Sequence, residues 1–223
     1  MSFVQAASNQ TNGSTTVAAT LTGVTAGNLI VVGWANGWGI TGITDSSGDT
    51  VVQERTKSNG AFNQAGIAAV YAAQAGTHTI TVTSSVSNGQ SICIAEYGGG
   101  SWTLEAVTNP ASQTSGTSHT SDSLTPAGTG RLAVAMIGCE QDLGVPQQVT
   151  WGGSFTWRAE GYRSTSSLAD YASPPASSLS ATATTSGSTY AWDFLALFVS
   201  SGGGGSWFTR DRKRTYLSPS LRR

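Results

Sequence analysis

The segment LTGVTAGNLIVV, residues 21–32, recurs about 100 residues later as LTPAGTGRLAVA, residues 124–135. Leu21 and Leu29 of the first segment correspond to two leucines at the same spacing in the second. Four further blocks match in the same order: ITDSSGDTVVQE with VTWGGSFTWRAE, AAVYAA with LADYAS, THTITVT with SLSATAT, and CIAEYGG with FLALFVS. The chain is therefore interpreted as two copies of one module.

The matched blocks set the expected domain boundaries. They predict an N-terminal segment (1–13), a first repeat (14–99), a linker (100–116), a second repeat (117–201) and a C-terminal glycine hinge with an arm (202–223). The linker is rich in Ser, Thr, Gly and Pro, a composition typical of turns. A chain of 223 residues suits either one large all-β domain or two domains of about 100 residues each.

Short strands account for the pattern within each copy. NLIVVGW is apolar and rich in β-branched residues, and it lies between Gly27 and the Asn36-Gly37 pair, which predicts a buried strand. THTITVT alternates, with Ile80 and Val82 on one face and threonines on the other, which predicts a half-exposed strand. Since no 3.6-residue period appears, the predicted fold is all-β. We expect two tandem antiparallel β-sandwiches of Ig-like or jelly-roll type, or one larger fused sandwich, with an extended C-terminal arm.

The first repeat resembles a loosely defined family of β-sandwich modules found in bacterial surface proteins and in phage head and tail accessory proteins. Five stretches carry the resemblance: residues 27–32 (GNLIVV), 44–50 (TDSSGDT), 69–72 (AVYA), 79–83 (TITVT) and 95–99 (AEYGG). The second repeat departs from it, because Trp-Gly-Gly replaces the aspartate turn and Ala-Leu-Phe replaces the Glu-Tyr-Gly ending. The resemblance implies a sandwich with a structural or adhesive role and no catalytic residue.

The charges are few and unevenly distributed. Charged residues make up 10% of the chain, against roughly 25% in an ordinary soluble domain. Residues 1–206 carry five cations and eleven acids, a net charge of −6, whereas residues 207–223 carry six cations and one acid, a net charge of +5. An acidic body with a basic end indicates that the end is directed at another surface.

The C-terminal arm combines a hinge with anchoring residues. Four glycines at 202–205 predict a swivel. Aromatic and aliphatic side chains follow, interspersed with arginines that would pair with a partner's acids. The residues expected to bind a partner are Trp207, Phe208, Arg210, Arg212, Lys213, Arg214, Tyr216, Leu217 and Leu221. A neighbouring copy of the chain is one candidate partner, as in an arm-exchanged ring. A solvated tail and a nucleic-acid or membrane target are the alternatives, and the acidic body disfavours nucleic acid.

The composition also bears on the compartment. No stretch approaches the ~18 apolar residues of a membrane span, and the start, MSFVQAASNQTNG, lacks the charged and apolar regions of a secretory signal. The small, hydroxyl-rich, lysine-poor composition is nevertheless typical of extracellular proteins. A virion protein, made in the host cytoplasm without a signal peptide, would satisfy both observations. An extracellular protein whose signal peptide has been removed is the alternative.

Residues able to carry chemistry are scarce. Cys93 and Cys139 each lie in an apolar run and are expected to be buried free thiols, with a disulfide as the alternative. His78 and His119 are expected to be exposed polar residues. No nucleophile elbow, Walker loop or zinc-protease motif is present in the sequence. We therefore expect no catalytic residue, no resident metal and no cofactor.

The carboxylates have structural interpretations. Asp45 and Asp49 flank a tight turn, where they are expected to cap backbone amides, with a weak calcium site as the alternative. Two other pairs are expected to be solvated, in a loop and at repeat-equivalent strand ends respectively: Glu140 with Asp142, and Glu54 with Glu160.

Four tryptophans on glycine-rich segments are candidate glycan-binding residues: Trp34, Trp38, Trp151 and Trp157. An indole offers a rigid apolar face with one polar group, which suits a sugar ring. The alternative is that they are core or protein-interface anchors.

These observations favour a non-enzymatic bacteriophage virion structural protein: a head decoration, fibre or tail accessory protein anchored through its C-terminal arm. Its expected partners are capsid or tail subunits and further copies of itself, with no nucleic-acid or membrane partner. The alternative is an extracellular carbohydrate-binding or adhesion module that recognises cell-surface glycan.

Overall fold

The computed structural model describes residues 1–59, 62–110, 113–140 and 148–201. Over these ranges the chain forms thirteen β-strands and no helix. The strands are β1 (Ser2–Val24), β2 (Leu29–Trp38), β3 (Ile40–Asp45), β4 (Val52–Asn59), β5 (Phe62–Val70), β6 (Gly76–Gly98), β7 (Trp102–Val107), β8 (Thr114–Thr120), β9 (Arg131–Cys139), β10 (Val149–Trp151), β11 (Thr156–Gly161), β12 (Ser166–Ala172) and β13 (Thr182–Ser200). The predicted all-β fold class is confirmed.

The strands form two antiparallel sheets with the same plan. The first sheet has the order β1-β6-β2-β5-β4, and β3 also pairs with β6. The second has the order β10-β13-β9-β12-β11, and β7 and β8 both pair with β13. Strands β9 to β13 therefore repeat β2 to β6, while β7 and β8 together take the place of the long strand β1. The duplication read from the sequence blocks reappears in the pairing of the strands.

Both repeats extend further towards the N-terminus than the sequence blocks indicated. The segment 1–13, expected to precede the first repeat, lies largely in β1, whose first ten residues pair with the end of β6. The expected linker 100–116 contains β7 and the start of β8, which pair with β13. Apolar residues are interspersed with polar ones in these segments, and most positions are only partly buried. They therefore lack the continuous apolar runs by which the other strands were found.

The two sheets pack face to face through one shared apolar core. Val31 and Ile67 of the first sheet and Met136, Leu168 and Phe194 of the second are fully or almost fully buried in this core. Because strand side chains alternate between faces, Ile30 on β2 points the other way. The repeats are thus fused into one body by burial of apolar surface between them.

Two glycines set how closely the sheets approach. A Cβ on Gly33 would lie 2.8 Å from Met136 Cγ and 2.9 Å from Leu168 Cδ2, and one on Gly138 would overlap the Cβ of Ala65. A larger residue at Gly33 would have to displace the side chains of Met136 and Leu168, and one at Gly138 would press on Ala65. Packing between the repeats therefore favours glycine at both positions.

Each repeat has a second core on the outer face of its sheet. Residues 90–97 of β6 pair with β2, whereas residues 80–84 pair with β3. The two ends of this long strand therefore lie beside different strands of the first sheet. Ile80 thereby packs with Val32 and Trp34 in the outer core of the first repeat. Strand β13 does the same in the second repeat, pairing with β9 and with β10.

The two cysteines are free and buried, in agreement with the prediction of unpaired thiols. Cys93 Sγ donates a hydrogen bond of 3.2 Å to the carbonyl of Ser166 in the other repeat. Desolvation by burial raises the pKa of Cys93 to about 12. Burial also raises the pKa of the Cys139 thiol.

The arm residues expected to bind a partner lie outside the described part of the chain: Trp207, Phe208, Arg210, Arg212, Lys213, Arg214, Tyr216, Leu217 and Leu221. Asp142, expected to be solvated, lies outside it as well.

Candidate functional site

The four candidate tryptophans fall into different environments. Trp34 is 0% exposed in the outer core of the first repeat, so it offers no face to a ligand and its assignment to glycan binding is wrong. Trp38, four residues later at the end of β2, is 37% exposed. Trp151 and Trp157 of the second repeat lie together beside one cavity. The structure therefore separates the first pair and brings the second pair together.

The cavity, called the aromatic cleft below, has a volume of about 360 Å³. It is lined by Val149, Thr150, Trp151, Phe155 and Trp157. Strand β10 supplies the first three, β11 supplies Trp157, and Phe155 lies in the turn between the two strands. The volume is at the lower end of the range of small-molecule pockets, roughly 300–1,000 Å³.

Glycines bring the walls of the aromatic cleft together. Gly153 has a φ of 68°, a left-handed backbone conformation that favours glycine. A Cβ on Gly152 would overlap the hydroxyl of Thr182 on β13. The Trp-Gly-Gly-Ser-Phe sequence can therefore make a tight turn, which places Phe155 next to Trp151.

The inner wall of the cleft is held by specific contacts. Trp151 Nε1 donates a 3.0 Å hydrogen bond to Ser167 Oγ on β12. The rings of Trp151 and Phe155 lie 6.4 Å apart between centroids with an interplanar angle of 35°. Phe155 in turn packs edge-on against Tyr171 at 6.0 Å. These distances are typical of favourable aromatic pairs, so the inner wall is held by packing as well as by the hydrogen bond to Ser167.

The outer wall of the cleft is exposed. Trp157 is 42% exposed, although a tryptophan usually buries most of its surface. Among the described residues, the lining includes no charged side chain, and Thr150 provides the side-chain hydroxyl. Three aromatic rings with one hydroxyl can bind a flat, neutral group that carries apolar and hydroxyl surface.

The equivalent turn of the first repeat has a different chemistry. The matched blocks place Asp45 opposite Trp151 and Asp49 opposite Phe155. His78 pairs with Leu21, just as Leu179 pairs with the matching Leu124 in the second repeat. One repeat therefore has two carboxylates and an imidazole where the other has two aromatic rings and a leucine.

His78 forms a buried ion pair. Its Nδ1 lies 2.6 Å from Asp45 Oδ2 and its Nε2 lies 2.9 Å from the carbonyl oxygen of Gln74. A carboxylate and a carbonyl oxygen both accept hydrogen bonds, so this geometry favours the imidazolium form, in which both ring nitrogens donate. Burial alone would lower the pKa of His78, but the hydrogen bonds to Asp45 and Gln74 outweigh burial and raise it.

The grouping of Asp45, Asp49 and His78 places three ligand-type atoms within 4.8 Å of one another. In the imidazolium form His78 has no lone pair for a cation. Asp49 accepts hydrogen bonds from the backbone and side-chain amides of Gln74, and these outweigh the effect of burial and hold its pKa below the usual value. Asp45 Oδ1 also accepts from the backbone N–H of Ser47, as the turn interpretation predicts. The cluster ties the turn to strand β6.

Four further expectations are corrected or refined. Both histidines were expected to be exposed, but His78 is 0% and His119 is 1% exposed. Glu160, expected at an exposed strand end, is buried and accepts hydrogen bonds from the backbone N–H groups of Gln148 and Val149. Its counterpart Glu54 accepts a 2.5 Å hydrogen bond from a tyrosine hydroxyl. These groups therefore have structural partners.

Comparisons with protein-family models, with curated proteins and with solved structures found no match to this chain. The family resemblance read from the sequence stays a prediction. Within the described ranges, no helix is long and apolar enough to cross a membrane.

Proposed function

We propose that this chain is a non-enzymatic structural protein of a bacteriophage particle, serving as a head decoration, fibre or tail accessory protein. The doubled β-sheet body would be presented on the particle surface and fastened there by residues 202–223. The charge split supports this division of roles, because residues 1–206 carry a net charge of −6 and the remainder a net charge of +5. The fused core between the repeats supplies the rigidity that a surface protein needs.

The observation that carries the proposal is that strand pairing persists to the residue before the four glycines. Ser200 pairs with Trp102 in the β13–β7 ladder, and the Ser201 N–H donates a 2.8 Å hydrogen bond to the carbonyl of Ser101. The first of the four glycines is the next residue. Ordered pairing therefore continues up to the glycines, as expected of a folded body joined to a separate binding segment.

A second apolar cavity lies beside this point. It has a volume of about 270 Å³ and is lined by Tyr71, Trp102, Thr103 and Leu104. Within the described residues, the buried Nε1 of Trp102 has no hydrogen-bond partner. The hydroxyl of Tyr71 is bonded to Glu54, which adds a negative charge nearby. The apolar lining suits an aromatic side chain and the carboxylate suits an arginine, and we assign the cavity to the arm of a neighbouring copy in a homo-oligomer.

Truncation after Ser201 tests the tether. The shortened chain is expected to remain folded and soluble, because the deletion removes no described strand, and to be missing from purified particles. The double variant Trp207→Ala with Phe208→Ala keeps the length and the charge of the arm and removes only its aromatic anchors. It should also reduce incorporation. Normal incorporation of the truncated chain would remove the proposal.

A second candidate function, an extracellular carbohydrate-binding or adhesion module, is favoured by the aromatic cleft. Its exposed Trp157 and packed inner wall provide a preformed surface in a part of the chain separate from the arm. Tryptophan fluorescence titrated with bacterial cell-surface polysaccharide should change if this function is correct. An unchanged signal across a polysaccharide panel would dismiss it.

A further inference from the structure

We infer that the aromatic cleft of the second repeat binds a single neutral pyranose ring of a glycan, and that the matched turn of the first repeat does not. The inference deepens the second candidate function and rests on it. It identifies the chemical class of the ligand, and it assigns Trp157 as the residue that contacts the sugar while Trp151 and Phe155 form the fixed wall.

The comparison between the repeats is the first argument. In the first repeat the turn is sealed by the His78–Asp45 pair, and both side chains are 0% exposed. In the second repeat Trp151 takes the place of Asp45, Leu179 that of His78 and Phe155 that of Asp49. The space beside the two aromatic rings is an open cavity of about 360 Å³. At the matched turn of the same strand arrangement, one repeat has a buried ion pair and the other has two aromatic rings. The aromatic version leaves a large apolar side chain, Trp157, only partly covered.

The exposure of Trp157 is the second argument. An indole that is 42% exposed gains free energy when a ligand covers it, because apolar surface leaves water. Trp151 packs, with Leu124 and Leu179, against the apolar cluster that contains Phe155. Trp151 and Phe155 thus belong to the core, whereas the exposed surface of Trp157 is available to a ligand.

The lining determines the class of sugar. A pyranose with equatorial substituents has flat C–H faces that stack on aromatic rings and hydroxyls at its rim. Thr150 can bond one such hydroxyl. Because β10 is an edge strand of its sheet, its main-chain groups other than the Val149 N–H, which is bonded to Glu160, can bond others. A uronic or sialic acid would find no cation in the described lining. Glu160, behind β10, is an acid already bonded to two backbone N–H groups. A neutral sugar is therefore favoured over an anionic one.

The test is isothermal titration calorimetry of the full chain with cellohexaose, chitohexaose and maltohexaose, with hexagalacturonate as the anionic comparison. At least one neutral hexasaccharide should bind. Trp157→Ala should weaken binding about tenfold or more, the loss expected for one aromatic stacking contact with its buried area. Trp38→Ala removes a similarly exposed indole from the first repeat and should change affinity less than twofold.

Several results would overturn the inference. These are no binding by any neutral hexasaccharide at millimolar concentration, tighter binding of hexagalacturonate, or equal losses in Trp157→Ala and Trp38→Ala. Since Trp157 is exposed, its variant should fold normally, and unchanged far-UV circular dichroism will verify this. Residues 1–201 should bind the sugar as the full chain does. A failed tether and a failed sugar site are therefore distinguished by separate measurements.

Discussion

Gly138→Ala tests whether packing between the two sheets stabilises the fused body. The new Cβ would overlap the Cβ of Ala65 across the interface and would lie 3.2 Å from Met136 Cε and 3.4 Å from Ala35 Cβ. A methionine end can rotate away, but an alanine Cβ is one bond from the backbone, so the first sheet itself must move. The backbone of Gly138 is not left-handed, and steric overlap is therefore the relevant effect.

Overpacking of a filled core typically costs about 1–3 kcal/mol. For a chain of this size each 1 kcal/mol lowers the melting temperature by about 2–4 °C. We therefore expect a melting temperature about 2–12 °C below that of the wild type. The free energy of unfolding should fall by the corresponding amount in urea titrations followed by tryptophan fluorescence, in a single transition, because the repeats share a core.

Gly42→Ala is the matched control. Gly42 lies in β3 with no atom within 4 Å of the added Cβ and no left-handed backbone angle. Alanine there should leave stability unchanged or raise it by up to about 1 kcal/mol through the unfolded chain. If Gly138→Ala is as stable as Gly42→Ala, the close approach of the sheets is not what holds the repeats together.

The remaining predictions concern titration, thiol chemistry and assembly. The pKa of His78 is raised above its ordinary value near 6.5, so the His78–Asp45 pair stabilises the fold fully below that pH and progressively less as the pH rises through the folded-state pKa. Between pH 6 and pH 9 the melting temperature should therefore fall more for the wild type than for His78→Gln. Equal falls in the melting temperature of the two proteins would contradict the ion pair. Cys93 and Cys139 are buried with raised pKa values, so a thiol reagent such as DTNB should react only at the rate of unfolding, and rapid labelling of the native protein would refute their burial. Light scattering should find the full chain oligomeric and residues 1–201 monomeric. The same number of chains per oligomer for both versions would exclude the arm as the link between copies.

Local patterns predicted the fold class but not the packing between the repeats. The alternation of THTITVT correctly placed Ile80 and Val82 on a buried face. The same alternation puts His78 on that face, so its burial could have been read from the parity of the strand. Gly33 and Gly138, by contrast, look like ordinary strand glycines, because the atoms that restrict them come from a distant part of the chain.

The sequence identified some of the residues that line the aromatic cleft but not all of them. Trp34 and Trp38 share one glycine-rich segment, but β2 is buried on both faces, so sequence parity could not show which indole is exposed. Trp151 and Trp157 were identified as a pair, and Phe155 was missed although it lies between them in WGGSFTW. The cleft forms because the turn between β10 and β11 is tight, and that depends on glycine backbone angles and on the neighbouring Thr182.

The most direct test of the central claim is quantitative mass spectrometry of purified phage particles, with the copy number of this chain compared between full-length and 1–201 versions. The account predicts a fixed stoichiometric copy number for the full chain and loss of the truncated chain from particles. Absence of the full chain from particles, or an equal copy number for the truncated chain, would contradict it.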